Sequence, residues 1–260
     1  MNKLQWIATG SALLLFLVLW AGFDTKNEDQ KRADRSRDIQ SEPTSFAALL
    51  SDAKEHLTPE QDVQVAALEK ASMSAGNRVP EKSEALKGLS GFWYRFGNIP
   101  VAGGYADSVA LLENTPAAWS VAGGTYFNGI PAAGENALIR GYCATKAIKA
   151  FENAASLAPD QPEHKVNLAL VYAENPPADN PMKAVLMLRD LEAKHPDAPT
   201  VYNALGRLAI KTNQWERAIE RLEKAYSLDP SNPNTPCLLS KAYEGAGNAA
   251  KAASYGQLCK

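Results

Sequence analysis

The sequence predicts an all-α protein: a solenoid of helical hairpins behind an N-terminal transmembrane helix. Three observations carry this expectation. Residues 199–232 form a 34-residue unit in which small and large apolar residues fall at fixed places. The same spacing returns upstream and downstream of that unit. One uncharged apolar run, Leu4 to Phe23, stands near the amino terminus.

In the central unit, counting Pro199 as position 1, Tyr202 falls at 4, Leu205 at 7, Gly206 at 8 and Ala209 at 11. Ala218 then falls at 20, Leu222 at 24, Ala225 at 27 and Pro230 at 32. Two antiparallel helices approach closely only where one of them carries a small residue, and large residues must fill the space between such points. Pro230 stops the second helix, because proline has no N–H to continue the ladder.

One hairpin cannot bury its own apolar face, so neighbours are required. Downstream, Leu239, Ser240, Tyr243 and Ala252 keep the phase, and the unit 233–260 is shortened. Upstream, unit 162–198 offers Leu168, Ala169, Tyr172, Ala184, Leu188 and Leu191, with three extra residues in its proline-rich turn. Unit 116–161 offers Trp119, Ala122, Gly123, Tyr126, Ala147, Phe151 and Ala154. It holds an insert of about twelve residues, of which Gly129–Gly134 reads as loop and Glu135–Cys143 as a lengthened second helix. Unit 83–115 keeps Leu89, Ser90, Trp93, Ala102 and Ala106, but Pro100 and Gly103–Gly104 read as weakening its second helix. Residues 45–82 read as two helices capping this end, the second opened by Thr58-Pro-Glu-Gln61 as a capping box.

These spacings resemble the tetratricopeptide repeat family, over roughly residues 83–260 and most specifically from Pro116 onward. The resemblance implies a scaffold for peptides or proteins with no chemistry of its own. With the N-terminal apolar run, the layout resembles membrane-anchored bacterial repeat proteins. Some of those help assemble c-type cytochromes or accompany newly exported proteins. The family's carboxylate clamp needs lysine at position 5 and asparagine at 9. The corresponding pairs here are Ser120 and Gly124, Val166 and Leu170, and Asn203 and Arg207, so the clamp is not met.

Residues 1–23 read as a signal anchor. Twenty uncharged residues at about 1.5 Å each span about 30 Å, the thickness of a bilayer core, and Trp6 and Trp20 lie near the two ends. The competing reading is a cleaved signal peptide, which needs small residues at minus three and minus one. Cleavage after Ala21 or Gly22 would put Leu19 or Trp20 at minus three. Residues 24–44 are polar and charged and read as a flexible stalk. Lys26, Lys31, Arg32, Arg35 and Arg37 after the span, against Lys3 before it, favour a cytoplasmic solenoid. The layout of the resembled proteins favours the exported side, and an inner (cytoplasmic) membrane protein facing that way is the expectation adopted.

A net charge of −2 with no basic stripe argues for no nucleic-acid partner. The three cysteines, Cys143, Cys237 and Cys259, show no C-x-x-C spacing. They are read as packed or free thiols, with a disulfide between two of them the alternative. His56, His164 and His195 are isolated in sequence, so no metal site, cofactor or catalytic residue is expected.

If the solenoid holds a partner, the first helices of the units line the inner face. Asn203, Arg207, Lys211 and Lys241 are the expected contacts, forming a polar, basic surface suited to an acidic peptide or a carboxylate. The insert around Phe127–Gly134 is a second candidate surface. Two functions follow: an anchored adaptor binding protein or peptide partners, or a self-associating structural protein that stacks through its terminal units as a homo-oligomer.

Overall fold

The computed structural model describes residues 45–259. The predicted anchor and charged stalk lie outside the described residues. Among those described, no helix is long and apolar enough to cross a membrane. Residues from Leu49 onward form one compact unit, to which the helices below belong apart from the first residues of α1.

Twelve α-helices and no strand occur among the described residues: α1 (Phe46–Glu55), α2 (Pro59–Ala75), α3 (Val79–Arg95), α4 (Ile99–Glu113), α5 (Pro116–Ala132), α6 (Ala137–Leu157), α7 (Pro162–Glu174), α8 (Lys183–Lys194), α9 (Pro199–Lys211), α10 (Trp215–Leu228), α11 (Asn234–Gly245) and α12 (Ala249–Gly256). From α2 onward each helix packs on the next, and α5, α7, α9 and α11 also pack on one another in sequence. The first helices of successive pairs therefore share a face.

Several starts are fixed locally. Thr58 caps α2 with both arms of its box in place, and Asn98, Thr115, Asn136 and Asn248 cap α4, α5, α6 and α12 through their side chains. Each accepts a bond from a backbone N–H that has no partner within its own helix.

Packing between helices follows a small-against-large rule. A Cβ added at Gly206 would lie 2.5 Å from Cγ of Leu222, one at Gly123 would lie 2.8 Å from the Phe151 ring, and one at Gly103 would lie 2.4 Å from the Tyr126 ring. Leu222, Phe151 and Tyr126 are all buried. Each large side chain thus occupies the volume its glycine leaves empty.

Two segments read as weak or irregular are helical. Helix α4 is continuous: Pro100 sits in its first turn, where a missing N–H removes no bond, and Gly103 and Gly104 are buried. Burial of Gly103 under Tyr126 offsets its low helix propensity. Residues 129–132, expected as loop, instead extend α5 through Ile130 and Pro131. A Cβ on Gly129 would lie 2.6 Å from Sγ of Cys143, so glycine is what lets α5 and α6 touch there. The insert is therefore taken up in both helices, and only residues 133–136 connect them.

The cysteine reading needs correction. Cys237 and Cys259 are joined in a disulfide, their Cα atoms 4.8 Å apart. The antiparallel turn between α11 and α12 returns the chain beside the start of α11, a closure that cysteine spacing alone does not reveal. Cys143 is the buried free thiol, and burial pushes its pKa up to about 12. A thiol titration at pH 8 should therefore find no reactive group in the native protein, one after unfolding without reductant, and three after unfolding with it. A native count of two would rule out the bridge.

Candidate functional site

The shared face of α7, α9 and α11 forms a groove of about 400 Å³. Asn167 comes from α7, Thr200, Asn203 and Arg207 from α9, and Asn234 and Cys237 from α11. The helical repeat places 200, 203 and 207 on one stripe, three and four residues apart.

Of the four residues expected from sequence, the groove gathers two. Asn203 lies on its wall, where its Oδ1 accepts a bond from the buried Thr235 hydroxyl at 3.0 Å. Its two N–H donors have no protein partner among the described residues. Arg207 is exposed, with its guanidinium 5.9 Å from the Phe127 ring, within range of a cation–π contact. Lys211 lies a turn further along α9 and is already engaged, with Nζ 2.9 Å from a Glu174 oxygen and 2.9 Å from the Ala173 carbonyl. Lys241 is exposed on α11, outside the groove lining.

The structure adds residues that the sequence reading passed over. Asn167 and Asn234 bring further amides, each able to donate and accept at once, as a peptide backbone requires. Asn234 occupies in its unit the position Thr200 holds in the preceding one, so repeat numbering alone could have found it. The Thr200 hydroxyl is buried with no hydrogen-bond partner. A hydroxyl left this way is unfavourable unless something in the groove satisfies it.

Beside the groove, Ser120 and His164 approach at 2.7 Å (Oγ to Nδ1), and His164 Nε2 lies 3.0 Å from Oε1 of Gln161. This resembles a nucleophile–base pair. However, Ser120 lies in the interior of α5, where backbone N–H groups are consumed by the helix and cannot hold an oxyanion. The pair links α5 to α7. Among the described residues no group of three or more His, Cys, Asp or Glu side chains is placed to hold a metal ion.

Against known families, the tetratricopeptide repeat matches residues 199–232, the span of α9 and α10. Pro199–Asn232 is a tetratricopeptide repeat. No curated protein matches the chain. Among solved structures, a thermophilic tetratricopeptide-repeat protein of Thermus thermophilus is 20% identical, covers 71% of this chain and 91% of its own, with a TM-score of 0.50. The APC/C hetero-tetramer Cut9–Hcn1 is 20% identical over 76% of this chain and 37% of that one, with a TM-score of 0.51. MamA is 19% identical over 69% and 91%, with a TM-score of 0.40. These likenesses concern fold. Tetratricopeptide repeats typically act as protein-interaction scaffolds, and α9, the middle helix of the groove, is the first helix of the matched repeat.

Proposed function

We propose that this chain is a non-catalytic, membrane-anchored scaffold that holds an acidic protein or peptide segment along α7, α9 and α11. The carrying observation is the set of unspent polar groups in that groove: the Asn203 donors, the Thr200 hydroxyl and the unpaired Arg207. An extended acidic segment would satisfy all three, its backbone at the amides and its carboxylates at Arg207. Lys241 adds positive charge nearby. The apolar run from Leu4 to Phe23 supports a membrane anchor. The Cys237–Cys259 disulfide supports the exported side, since such bonds persist in oxidising compartments and are rare in the cytosol.

The test is crosslinking and recovery from intact membranes, with Arg207→Glu/Lys241→Glu as the comparison. A partner captured by the parent and lost from the double variant is expected. One retained by both would move the contact away from this face. Recovery of this chain alone would favour the homo-oligomeric, structural reading. Sidedness is read separately by adding protease to intact spheroplasts: digestion of the solenoid is expected, and full protection would place it in the cytoplasm.

A further inference from the structure

A second hollow, about 460 Å³, lies one step upstream between α3, α4 and α5. Its chemistry is unlike that of the groove. Every polar side chain lining it is already engaged within the protein. Lys87 pairs with Glu113 at 2.6 Å, and the Ser83 hydroxyl also donates to that carboxylate. Ser90 donates to the Ala102 carbonyl at 2.9 Å, and Thr125 to the Val121 carbonyl at 2.8 Å. The Tyr94 hydroxyl accepts from Asn128 at 3.2 Å. What the hollow offers a visitor is therefore apolar surface: Ala106, Val109, Ala117, a Val121 that is 63% exposed and a Tyr94 that is 47% exposed.

Gly91 on α3 lines the hollow, and Gly124 on α5 follows the lining Val121 by about a turn, outside the lining itself. A Cβ added at either would meet nothing within 4 Å, unlike those at Gly103, Gly123 and Gly206. Glycine inside a helix is unfavourable relative to alanine, and neither position has a packing reason for it. Both occupy position 9 of their units, where Leu170 and then Arg207 stand downstream. Along one register the inner face thus passes from empty, through apolar, to cationic. Helix α5 touches both regions: Asn128 donates to the Tyr94 hydroxyl, and the Phe127 ring lies 5.9 Å from the Arg207 guanidinium.

We infer that the hollow seats one bulky apolar side chain, aromatic or branched aliphatic, carried by the same acidic segment that lies along α7, α9 and α11. The inference rests on that reading and deepens it. The bound segment presents its apolar residue toward α3 and its carboxylates toward Arg207. Charge sets this polarity, because the hollow holds no unpaired ion while Arg207 and Lys241 have no ion-pair partner among the described residues. An apolar group of this size, once buried, strengthens binding by at least about tenfold.

The experiment pans a random dodecapeptide library displayed on phage against the full-length protein in mild detergent. Selected peptides are then measured by fluorescence anisotropy against Gly91→Leu and Arg207→Glu/Lys241→Glu. The expected consensus has an aromatic or leucine-like residue beside acidic ones. The leucine variant should weaken binding by about tenfold or more with no loss of thermal stability, because a Cβ at Gly91 meets nothing within 4 Å. Acidic peptides with no apolar consensus, or equal binding by the leucine variant, would overturn the hollow and leave the groove standing. Binding that survives Arg207→Glu/Lys241→Glu would overturn the groove itself. No enrichment against the parent would overturn both.

Discussion

Truncation of Tyr126 to alanine is expected to lower the unfolding free energy by about 3–5 kcal/mol, the usual range for emptying an aromatic site in a core. Tyr126 is 1% exposed, stands edge-on to Tyr142 at 5.9 Å between ring centroids, and belongs to the cluster that joins α5 and α6 to α7 and α8. Its ring also fills the space left by Gly103, so the vacancy would open toward α4 as well. Burial keeps the phenol's pKa far above its ordinary value, so the ring carries no charge at working pH. Urea unfolding followed by circular dichroism measures the loss, with Tyr126→Phe as the control that keeps the volume. The reciprocal change, Gly103→Ala, should cost about 1–3 kcal/mol by overpacking. Combined with Tyr126→Ala it should cost less than the sum, since the added methyl then has room. A loss below about 1 kcal/mol for Tyr126→Ala would mean that the ring does not pack against α4 as described.

Reduction of the Cys237–Cys259 bridge is expected to remove about 3 kcal/mol from the terminal hairpin, the chain-entropy value for a loop of roughly this size. The bond spans 22 residues and encloses most of α11 and all of α12. Helix α12 has no buried residue. Its other attachments are few. Tyr255 stacks on Tyr243 at 5.7 Å and stands edge-on to Tyr226 at 5.9 Å, and Ser240 donates to the Ala252 carbonyl at 2.8 Å. Lys251 lies 2.8 Å from the Tyr243 hydroxyl, a bond that raises the lysine's pKa. With the bridge open, amide exchange in α12 should accelerate on the order of a hundredfold. Exchange in α7 and α8 should not change, because stacked repeats contact only their neighbours. Hydrogen-exchange mass spectrometry with and without reductant reads both regions at once. Unchanged exchange in α12 would show that stacking alone holds the last helix.

What the sequence revealed and what it concealed divide along one physical line. Pairs such as Gly206 with Leu222 are legible because both members belong to one hairpin, and the hairpin is written in a short, fixed spacing. Gly129–Ala132 reads as loop because glycine and proline are punctuation in an isolated helix. Here contact with Cys143 and burial of Ile130 override that local preference. Gly103–Gly104 reads as weak for the same reason: helix propensity does not reveal the Tyr126 ring that covers Gly103. The disulfide was hidden because the partners meet only after α11 and α12 fold back together. In the groove, Asn203 and Arg207 were legible as inward positions. The engagement of Lys211 by Glu174 was not, because it joins α9 to α7 across 37 residues.

The enlarged hairpin has a consequence for how this chain can change length. Helix α5 has 17 residues against 13 in α9, and α6 has 21 against 14 in α10. The surpluses, 17 − 13 = 4 and 21 − 14 = 7, are close to one and two whole turns of about 3.6 residues each. Within each helix the 3.6-residue period keeps Tyr126, Gly129 and Ile130 on one stripe and Cys143 with Ala147 on the facing one. A surplus of two residues would swing the tip by about 200° and turn its apolar stripe toward water. Deleting one whole turn from within this hairpin should keep its apolar stripes facing each other, and deleting two residues should turn them apart.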